Sequence, residues 1–195
     1  MKKYIILASK SKRRAQILSA CGIRYKVRGS NMKECMDKSM STAKLVMVNA
    51  KHKAECVAKQ HKNNIILGAD TLVLLKGKII GKPKNRKQAL SMLKQSSASK
   101  LYVYTGMYLL NTKTNKSACC YDKTLIKVSK IGKNDINKYF KHLGPYDKAG
   151  GFTIEGIGAV LFDNITGSYF NALGLPLNKL DTLLKKMGSS IFEFI

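Results

Sequence analysis

The pattern of hydrophobic and polar positions predicts strands and helices in alternation along the chain. Short apolar runs rich in β-branched residues indicate strands, and stretches whose apolar residues recur every three or four positions indicate amphipathic helices. The predicted strands are residues 4–7, 25–27, 65–75, 101–111 and 121–128, and the predicted helices are residues 12–20, 42–60, 85–94, 134–142 and 176–187. A hairpin turn at residues 76–78 follows the third strand, and the polar segment "NTKTNKSA" joins the last two strands as antiparallel partners. This order predicts an α/β fold without internal repeats or a flexible linker.

Length and composition support a folded domain. A chain of 195 residues with 45% hydrophobic content can bury a substantial core, so we expect a single domain over residues 1–195. No apolar run approaches the length of a membrane span, and the five cysteines form no C-x-x-C pair and no evident disulfide framework. These features predict a cytoplasmic protein with reduced thiols and no membrane partner.

The charge of the chain narrows its partners to a class. The formal net charge is +25, from 36 basic and 11 acidic residues. Such a charge favours the binding of polyanions, which include nucleic acids, acidic lipid headgroups and phosphorylated small molecules. Most of the basic residues are lysines scattered along the whole chain, and no nucleic-acid-reading motif accompanies them. Nucleic-acid binding, or a regulatory role in cell division, therefore stays open as an alternative of second rank.

One lysine interrupts an apolar helical stripe. In the predicted helix 42–60, Val46, Ala50, Lys53 and Val57 are spaced by four, three and four residues, so they share one face. The Lys53 side chain then either extends past the stripe to water or is directed into a cleft where its ammonium pairs with a phosphate.

Two further charged residues stand in unusual positions. Asp70 lies between "IILGA" and "TLVLL", and a buried unpaired carboxylate costs several kcal/mol. It must therefore be neutral, be paired, hold a metal such as Mg²⁺, or face solvent at a sheet edge. Glu34 is the other acid within reach of this half of the chain. Lys82 precedes Pro83, which restricts its backbone to extended conformations, so its ammonium either points at an anion or is solvated.

Two segments contain unusual combinations of residues. "LASKSKRRAQIL", residues 7–18, places hydroxyls and four cations between a strand and a helix start, where a basic arm, an ordinary helix start and a phosphate cradle are all possible. "YDKAGGFTIEGIG", residues 146–158, lies in a stretch with five glycines among residues 144–158, which predicts a tight loop and a bulged strand. Because no strand precedes it and no helix follows it, it is not a dinucleotide-binding fingerprint.

Seven motifs in this order resemble one family. They are "LASKSKRR", "AKHKA", "GADTLV", "IIGKPKN", "VYTGM", "YDKAGGFTIEG" and "ITGSYFNALGLPL". Along nearly its full length the chain resembles the Maf family of nucleoside triphosphate pyrophosphatases. The resemblance implies an inosine-triphosphatase-like α/β fold, with an elongated mixed sheet flanked by helices and two lobes around a deep cleft, in a homodimer. It also implies hydrolysis between the α and β phosphates of a nucleoside triphosphate, with a divalent metal, Mg²⁺ or alternatively Mn²⁺ or Co²⁺.

The resemblance also implies a set of site residues. The residues that match the family's N-terminal signature and charged cleft are Ser9, Arg13, Arg14, Glu34, Lys53, Asp70 and Lys82. We expect Asp70 and Glu34 to hold the metal, with Asp70 also orienting or deprotonating the attacking water. Positive side chains then clamp phosphate oxygens, namely Arg13 or Arg14, Lys53 and Lys82. Ser9, Ser11 and the backbone N–H groups of the helix start complete a phosphate-binding nest.

One substitution bears on substrate choice. Glu155 stands where the family commonly has a glutamine, and an ionised carboxylate only accepts hydrogen bonds, whereas an amide also donates. The family divides between enzymes that prefer dTTP and UTP and others that prefer 7-methyl-GTP. The segment "GSYFNALGLPL" favours the pyrimidine group and "FTIEG" keeps the other open, with removal of non-canonical nucleotides as a further role. Glu155 is expected to contact donor groups on the base of the substrate, or alternatively to bind the metal.

Overall fold

The computed structural model describes residues 3–142 and 153–195, which form helices and strands in alternation. The strands are β1 (Ile5–Leu7), β2 (Tyr25–Val27), β3 (Ile65–Leu75), β4 (Lys78–Ile80), β5 (Lys100–Asn111), β6 (Lys116–Val128) and β7 (Phe162–Thr166). The helices are α1 (Lys12–Ala20), α2 (Thr42–Ala58), α3 (Arg86–Ser96), α4 (Lys133–His142), α5 (Tyr169–Leu173) and α6 (Leu177–Lys186). Two short 3-10 helices occupy Gly156–Leu161 and Ile191–Phe194.

The strands form one mixed seven-stranded sheet. Its order is β2-β1-β3-β5-β6-β7, and β4 pairs with β3 outside this path. Ile5 of β1 lies opposite Tyr25 of β2 and Ile65 of β3, and both pairings are parallel. The β3–β4 and β6–β7 pairings are antiparallel. The prediction of a mixed α/β fold is therefore confirmed.

Several element boundaries agree with the pattern and others differ. The bounds predicted for α1, β2 and β3 match; β3 has a distinct apolar run and α1 a helical period, whereas β2 is a short β-branched and aromatic segment. Strand β6 begins at Lys116, five residues before the predicted start at residue 121. Its first five residues are exposed or half-buried and include no large apolar side chain, and pairing with β5 satisfies their backbone groups whatever the side chains. The same reason explains why β7, with mostly exposed positions, was not predicted.

The chain divides into two compact units. The first comprises Met1–Thr71, Tyr104–Asp122 and Leu173–Ile195, and the second comprises Leu72–Val103 and Lys123–Ala172. Fully buried side chains of the first unit include Ile5, Leu7, Leu18, Val46 and Leu67. Those of the second include Ala89, Leu93 and Leu101. Each unit thus has its own hydrophobic interior.

In the first unit, helix α2 packs unusually close to the sheet. A Cβ added at Gly68 of β3 would lie 2.0 Å from the carbonyl oxygen of Ala50, and one at Gly106 of β5 would lie 2.4 Å from the backbone of Val46. Glycine at these two positions therefore lets the helix backbone rest against the strands. Because Lys53 lies one turn beyond Ala50 on the same face, its side chain comes beside residue 70 of β3.

Two further observations concern the cysteines and the helices. All five cysteines are free thiols. Within residues 3–142 and 153–195, no helix combines the length and the apolar character needed to cross a membrane.

Candidate active site

Asp70 is the buried centre of the charged cluster in the first unit. It lies in the interior of β3 with its side chain 5% exposed, which excludes the solvent-facing edge position. Its Oδ1 accepts a hydrogen bond of 2.6 Å from the Lys53 ammonium, and its Oδ2 accepts one of 3.1 Å from the Asn49 amide. An ionised carboxylate has about four acceptor positions. Two therefore remain for further ligands.

Lys53 links Asp70 to Glu34. Its Nζ lies 2.6 Å from Asp70 Oδ1 and 2.6 Å from Glu34 Oε1. The Lys53 side chain is 15% exposed and that of Glu34 is 49% exposed. The apolar stripe of α2 thus delivers the ammonium to two carboxylates, and the side chain does not extend past the stripe into water. The two ion pairs together extend from Asp70 in the sheet to the exposed Glu34 at the surface of the unit.

The chemistry of these donors suits a hard divalent cation. A positive group already sits between two carboxylates, which are the oxygen ligands that Mg²⁺ prefers. Among the described residues, no cluster of three or more His, Cys, Asp and Glu side chains could form a complete protein cage. Mg²⁺ usually binds through one or two carboxylates together with water and substrate phosphates. The residues present therefore fit a cation bound jointly with a phosphorylated substrate.

Arg14 is buried, with 7% exposure, and its guanidinium donates to four groups of the protein. Nε donates to Gly174 O at 2.9 Å, and Nη1 donates to Ser9 Oγ at 2.9 Å and to Ala69 O at 3.0 Å. Nη2 donates to Thr71 Oγ1 at 2.8 Å. Burial lowers the pKa of Arg14, and the charges of Asp70 and Glu34 oppose that shift.

The Arg14 bonds bracket Asp70. Ala69 and Thr71 are its neighbours on either side in β3, so the guanidinium fixes the strand where the carboxylate emerges. An arginine has five N–H donors, and four of the Arg14 donors are used within the protein. The structure therefore gives Arg14 a task in holding the site together, which the resemblance did not indicate.

The predicted phosphate nest at the start of α1 has its hydroxyls engaged by the protein. Ser9, 5% exposed, accepts a bond from the Ser11 backbone N–H at 3.2 Å as well as the bond from Arg14. Ser11 is the N-cap of α1, and its Oγ accepts from the Arg14 backbone N–H at 3.5 Å. Arg13 follows in the first turn and is half-buried. These residues lie in the same unit as the Asp70 cluster.

Two predicted site residues lie in the second unit. Lys82 is exposed in the segment between β4 and α3. Glu155 is exposed immediately before the 3-10 helix Gly156–Leu161, and its backbone N–H donates to Thr153 Oγ1 at 3.2 Å. Glu155 also lines a groove of about 530 Å³ together with residues that include Phe162 and Tyr169. The glycine-rich stretch before it falls largely in residues 143–152, outside the described part of the chain.

One residue of the cluster, Asn49, was not predicted from the sequence. This residue of α2 is 2% exposed and donates to Asp70, although it was not among the predicted site residues. A signal was present, because a polar amide stands one turn before Lys53 on the face that packs against the sheet. Asparagine on a buried helical face needs hydrogen-bond partners, and the nearest unexplained carboxylate was Asp70.

Comparison with known proteins places the chain in a class and then in a family. The fold is similar to that of a HAM1 protein from Coxiella burnetii, with a TM-score of 0.53, 13% identity, and 94% of this chain and 99% of that chain covered. The fold and site thus define an α/β protein with a buried, lysine-paired aspartate. The family model described as Maf-like protein matches residues 4–187. The chain belongs to this family.

Three relatives extend the comparison over nearly the whole chain. A dTTP/UTP pyrophosphatase of Caldicellulosiruptor saccharolyticus is 35% identical over 195 residues, which cover 98% of each chain. One of Dictyoglomus thermophilum is 38% identical over 192 residues, with 98% of this chain and all of the other covered. One of Thermoanaerobacter sp. is 39% identical over 183 residues, with 93% and 95% covered.

Proposed function

We propose that this protein is a nucleoside triphosphate pyrophosphatase that prefers dTTP and UTP. It hydrolyses the bond between the α and β phosphates and releases a nucleoside monophosphate and pyrophosphate. The observation that carries the proposal is the buried Asp70 carboxylate, joined to Glu34 through the Lys53 ammonium. Family membership and the pyrimidine-specific names of relatives that match nearly the full chain support the substrate class. A preference for 7-methyl-GTP is the alternative that Glu155 keeps in view.

Asp70 and Glu34 are the residues proposed to hold the divalent cation, Mg²⁺ or alternatively Mn²⁺ or Co²⁺. A bound cation supplies charge neutralisation on the leaving pyrophosphate and helps to acidify the attacking water. Asp70 has free acceptor positions beside those used by Lys53 and Asn49, so it can also orient or deprotonate that water. Its burial keeps competing bulk water away from the reacting atoms.

The cationic side chains have distinct proposed tasks. Lys53 offsets one of the two carboxylate charges in the free protein, and its flexible stem lets the ammonium turn to a phosphate oxygen when substrate binds. Arg13 and Lys82 are proposed to contact the phosphates, since neither is buried. Ser9, Ser11 and the N-terminal N–H groups of α1 provide further phosphate donors. Arg14 was predicted as an alternative to Arg13, and its four internal bonds favour Arg13 as the phosphate ligand.

The remaining proposals concern organisation. We infer that residues 1–195 act as one functional domain, because a single family model spans segments of both compact units. A homodimer is proposed from the resemblance, and a cytoplasmic location is proposed because five free thiols accord with a reducing compartment.

Pyrophosphate release from a panel of nucleotides tests the proposal. The panel contains dTTP, UTP, CTP, GTP and 7-methyl-GTP, each with and without Mg²⁺ or Mn²⁺. We expect the highest kcat/KM for dTTP and UTP and no turnover after chelation of the metal. Repeating the panel with Glu155→Gln measures whether this position sets base preference. No release from any nucleotide would overturn the proposed activity, and a preference for 7-methyl-GTP would overturn the pyrimidine assignment.

Polyanion binding is a second candidate, which the net charge of +25 favours. Its test is the anisotropy of a labelled single-stranded DNA at 50 mM and 200 mM salt. Binding through several phosphates weakens by orders of magnitude over this range, whereas turnover at a buried aspartate changes much less. Absence of binding at 50 mM salt would exclude this candidate.

A further inference from the structure

The Asn49 amide connects two segments that carry acidic residues. Its Nδ2 donates to Asp70 Oδ2 at 3.1 Å and to the carbonyl oxygen of Cys35 at 3.1 Å. Its Oδ1 accepts from the Cys35 backbone N–H at 2.7 Å. Both amide protons and one oxygen lone pair are therefore used. The orientation of the amide is fixed, because the opposite orientation would place its oxygen against two acceptors.

The bonds to Cys35 matter because of its neighbour Glu34. Residues 28–41, between β2 and α2, form no helix or strand, so their position depends on contacts with the rest of the unit. Asn49 engages both backbone groups of Cys35, as a paired strand would, and so anchors the chain one residue from Glu34. Asn49 belongs to α2, which is held against β3 by the contact at Gly68.

We propose that Asn49 is a positioning residue that sets the separation and orientation of the Glu34 and Asp70 carboxylates for a divalent cation. The inference rests on the proposed function, in which these two residues hold the cation. A carboxylate on an unanchored segment must lose conformational freedom when it binds a cation, whereas one held in place does not. Asn49 contacts Asp70 directly and holds the backbone of Cys35, the residue next to Glu34, and its printed bonds involve no proposed phosphate ligand.

Asparagine is the residue type that this task requires. Leucine has a similar volume but leaves Asp70 Oδ2 and both Cys35 backbone groups without their partner. Alanine removes the same bonds and adds a cavity. Removing a hydrogen-bond partner of a metal ligand typically weakens metal binding by roughly 10- to 100-fold.

The experiment compares Asn49→Leu and Asn49→Ala with a matched control, Thr112→Val. The Thr112 hydroxyl also clamps backbone in the first unit, because it donates to His61 O at 2.8 Å and accepts from the Asn64 N–H at 2.9 Å, and no acidic residue is among these partners. Thr112→Val thus reports the effect of lost stability alone. Mn²⁺ binding to each protein is measured by electron paramagnetic resonance with and without a non-hydrolysable UTP analogue, and the Mg²⁺ dependence of turnover is measured separately.

We expect both Asn49 variants to bind Mn²⁺ roughly 10- to 100-fold more weakly than wild type. The Mg²⁺ concentration for half-maximal turnover should rise by a similar factor, and kcat at saturating Mg²⁺ should fall by less. Thr112→Val should lower the melting temperature and keep both metal dependences. If one Asn49 variant does not fold, the other decides the outcome.

Three results would overturn the inference: unchanged Mn²⁺ binding by a folded Asn49 variant, an equal loss in Thr112→Val, or no Mn²⁺ binding by wild type. A different result would refute the proposed function without refuting this inference. Wild-type protein that binds Mn²⁺ through Asn49-dependent carboxylates and hydrolyses no nucleotide would refute the activity and leave the positioning role intact.

Discussion

Replacing Arg14 with lysine tests whether this residue organises the site or binds phosphate. The guanidinium reaches four acceptors in different directions, and a single ammonium cannot serve all of them. Loss of two hydrogen bonds to a charged donor, at about 1.5 kcal/mol each, destabilises the protein by about 3 kcal/mol. For a chain of this size, 1 kcal/mol corresponds to about 2–4 °C, so the melting temperature should fall by about 6–12 °C.

The assay for Arg14→Lys is thermal unfolding, with Arg13→Lys as the matched control. Arg13 adjoins Arg14 on α1 and is half-buried, so its substitution should change the melting temperature by about 2 °C or less while raising KM for nucleotide. An Arg14→Lys protein that melts like wild type and has only a higher KM would refute the organising role. It would return Arg14 to the phosphate-binding group.

Three further predictions concern packing, pH and thiol chemistry. Gly68→Ala should lower the melting temperature by about 6 °C or more and reduce turnover, because the added Cβ would lie 2.0 Å from a carbonyl oxygen of α2. The control Gly81→Ala should melt like wild type, because the space around Gly81 is open. Hydrogen bonding, chiefly from Lys3, lowers the pKa of Glu193 to about 2. The ionised Glu193 carboxylate therefore stabilises the folded protein fully at pH values above 4.5, the ordinary pKa of the group, and this stabilisation disappears as the pH falls towards 2. The melting-temperature advantage of wild type over Glu193→Gln should therefore shrink across that window, and an advantage independent of pH would contradict this. Burial raises the pKa of Cys120 to about 11, so iodoacetamide at pH 8 should alkylate it more slowly than an unfolded-peptide thiol, as measured by mass spectrometry.

Local patterns were sufficient for the elements that have a strong period or a clear cap. Helix α1 was predicted with its observed bounds. Ser11 is its N-cap, which is the usual role of a serine directly before a helical pattern. The predicted hairpin turn at residues 76–78 is confirmed by the antiparallel pairing of β3 and β4, although the three-residue β4 itself had no predicted bounds. Strand β7 was not predicted, because it exposes most of its side chains. The existence of β7 depends on pairing with β6, a partner distant in the sequence that a local window does not contain.

The same distinction applies to the candidate site. Asp70 and Lys53 were evident because each places a charge where the pattern requires an apolar residue. The structure shows that the two charges form an ion pair, with Lys53 Nζ 2.6 Å from Asp70 Oδ1. Arg14 was indistinguishable from Arg13 in a basic segment, because its partners include Gly174, 160 residues away. Asn49 was not predicted because its partner Asp70 lies on another element, and only the packing of α2 on β3 brings the two residues together.

The most direct test of the proposed activity is product analysis of UTP incubated with Mg²⁺ and wild type, Asp70→Asn or Asp37→Asn. Asp37 is an exposed carboxylate close to Glu34 in the chain and serves as the control for loss of a negative charge. We predict UMP and pyrophosphate from wild type and Asp37→Asn, and no turnover above background from a folded Asp70→Asn protein. Formation of UDP and phosphate, or near-normal hydrolysis by Asp70→Asn, would contradict the account.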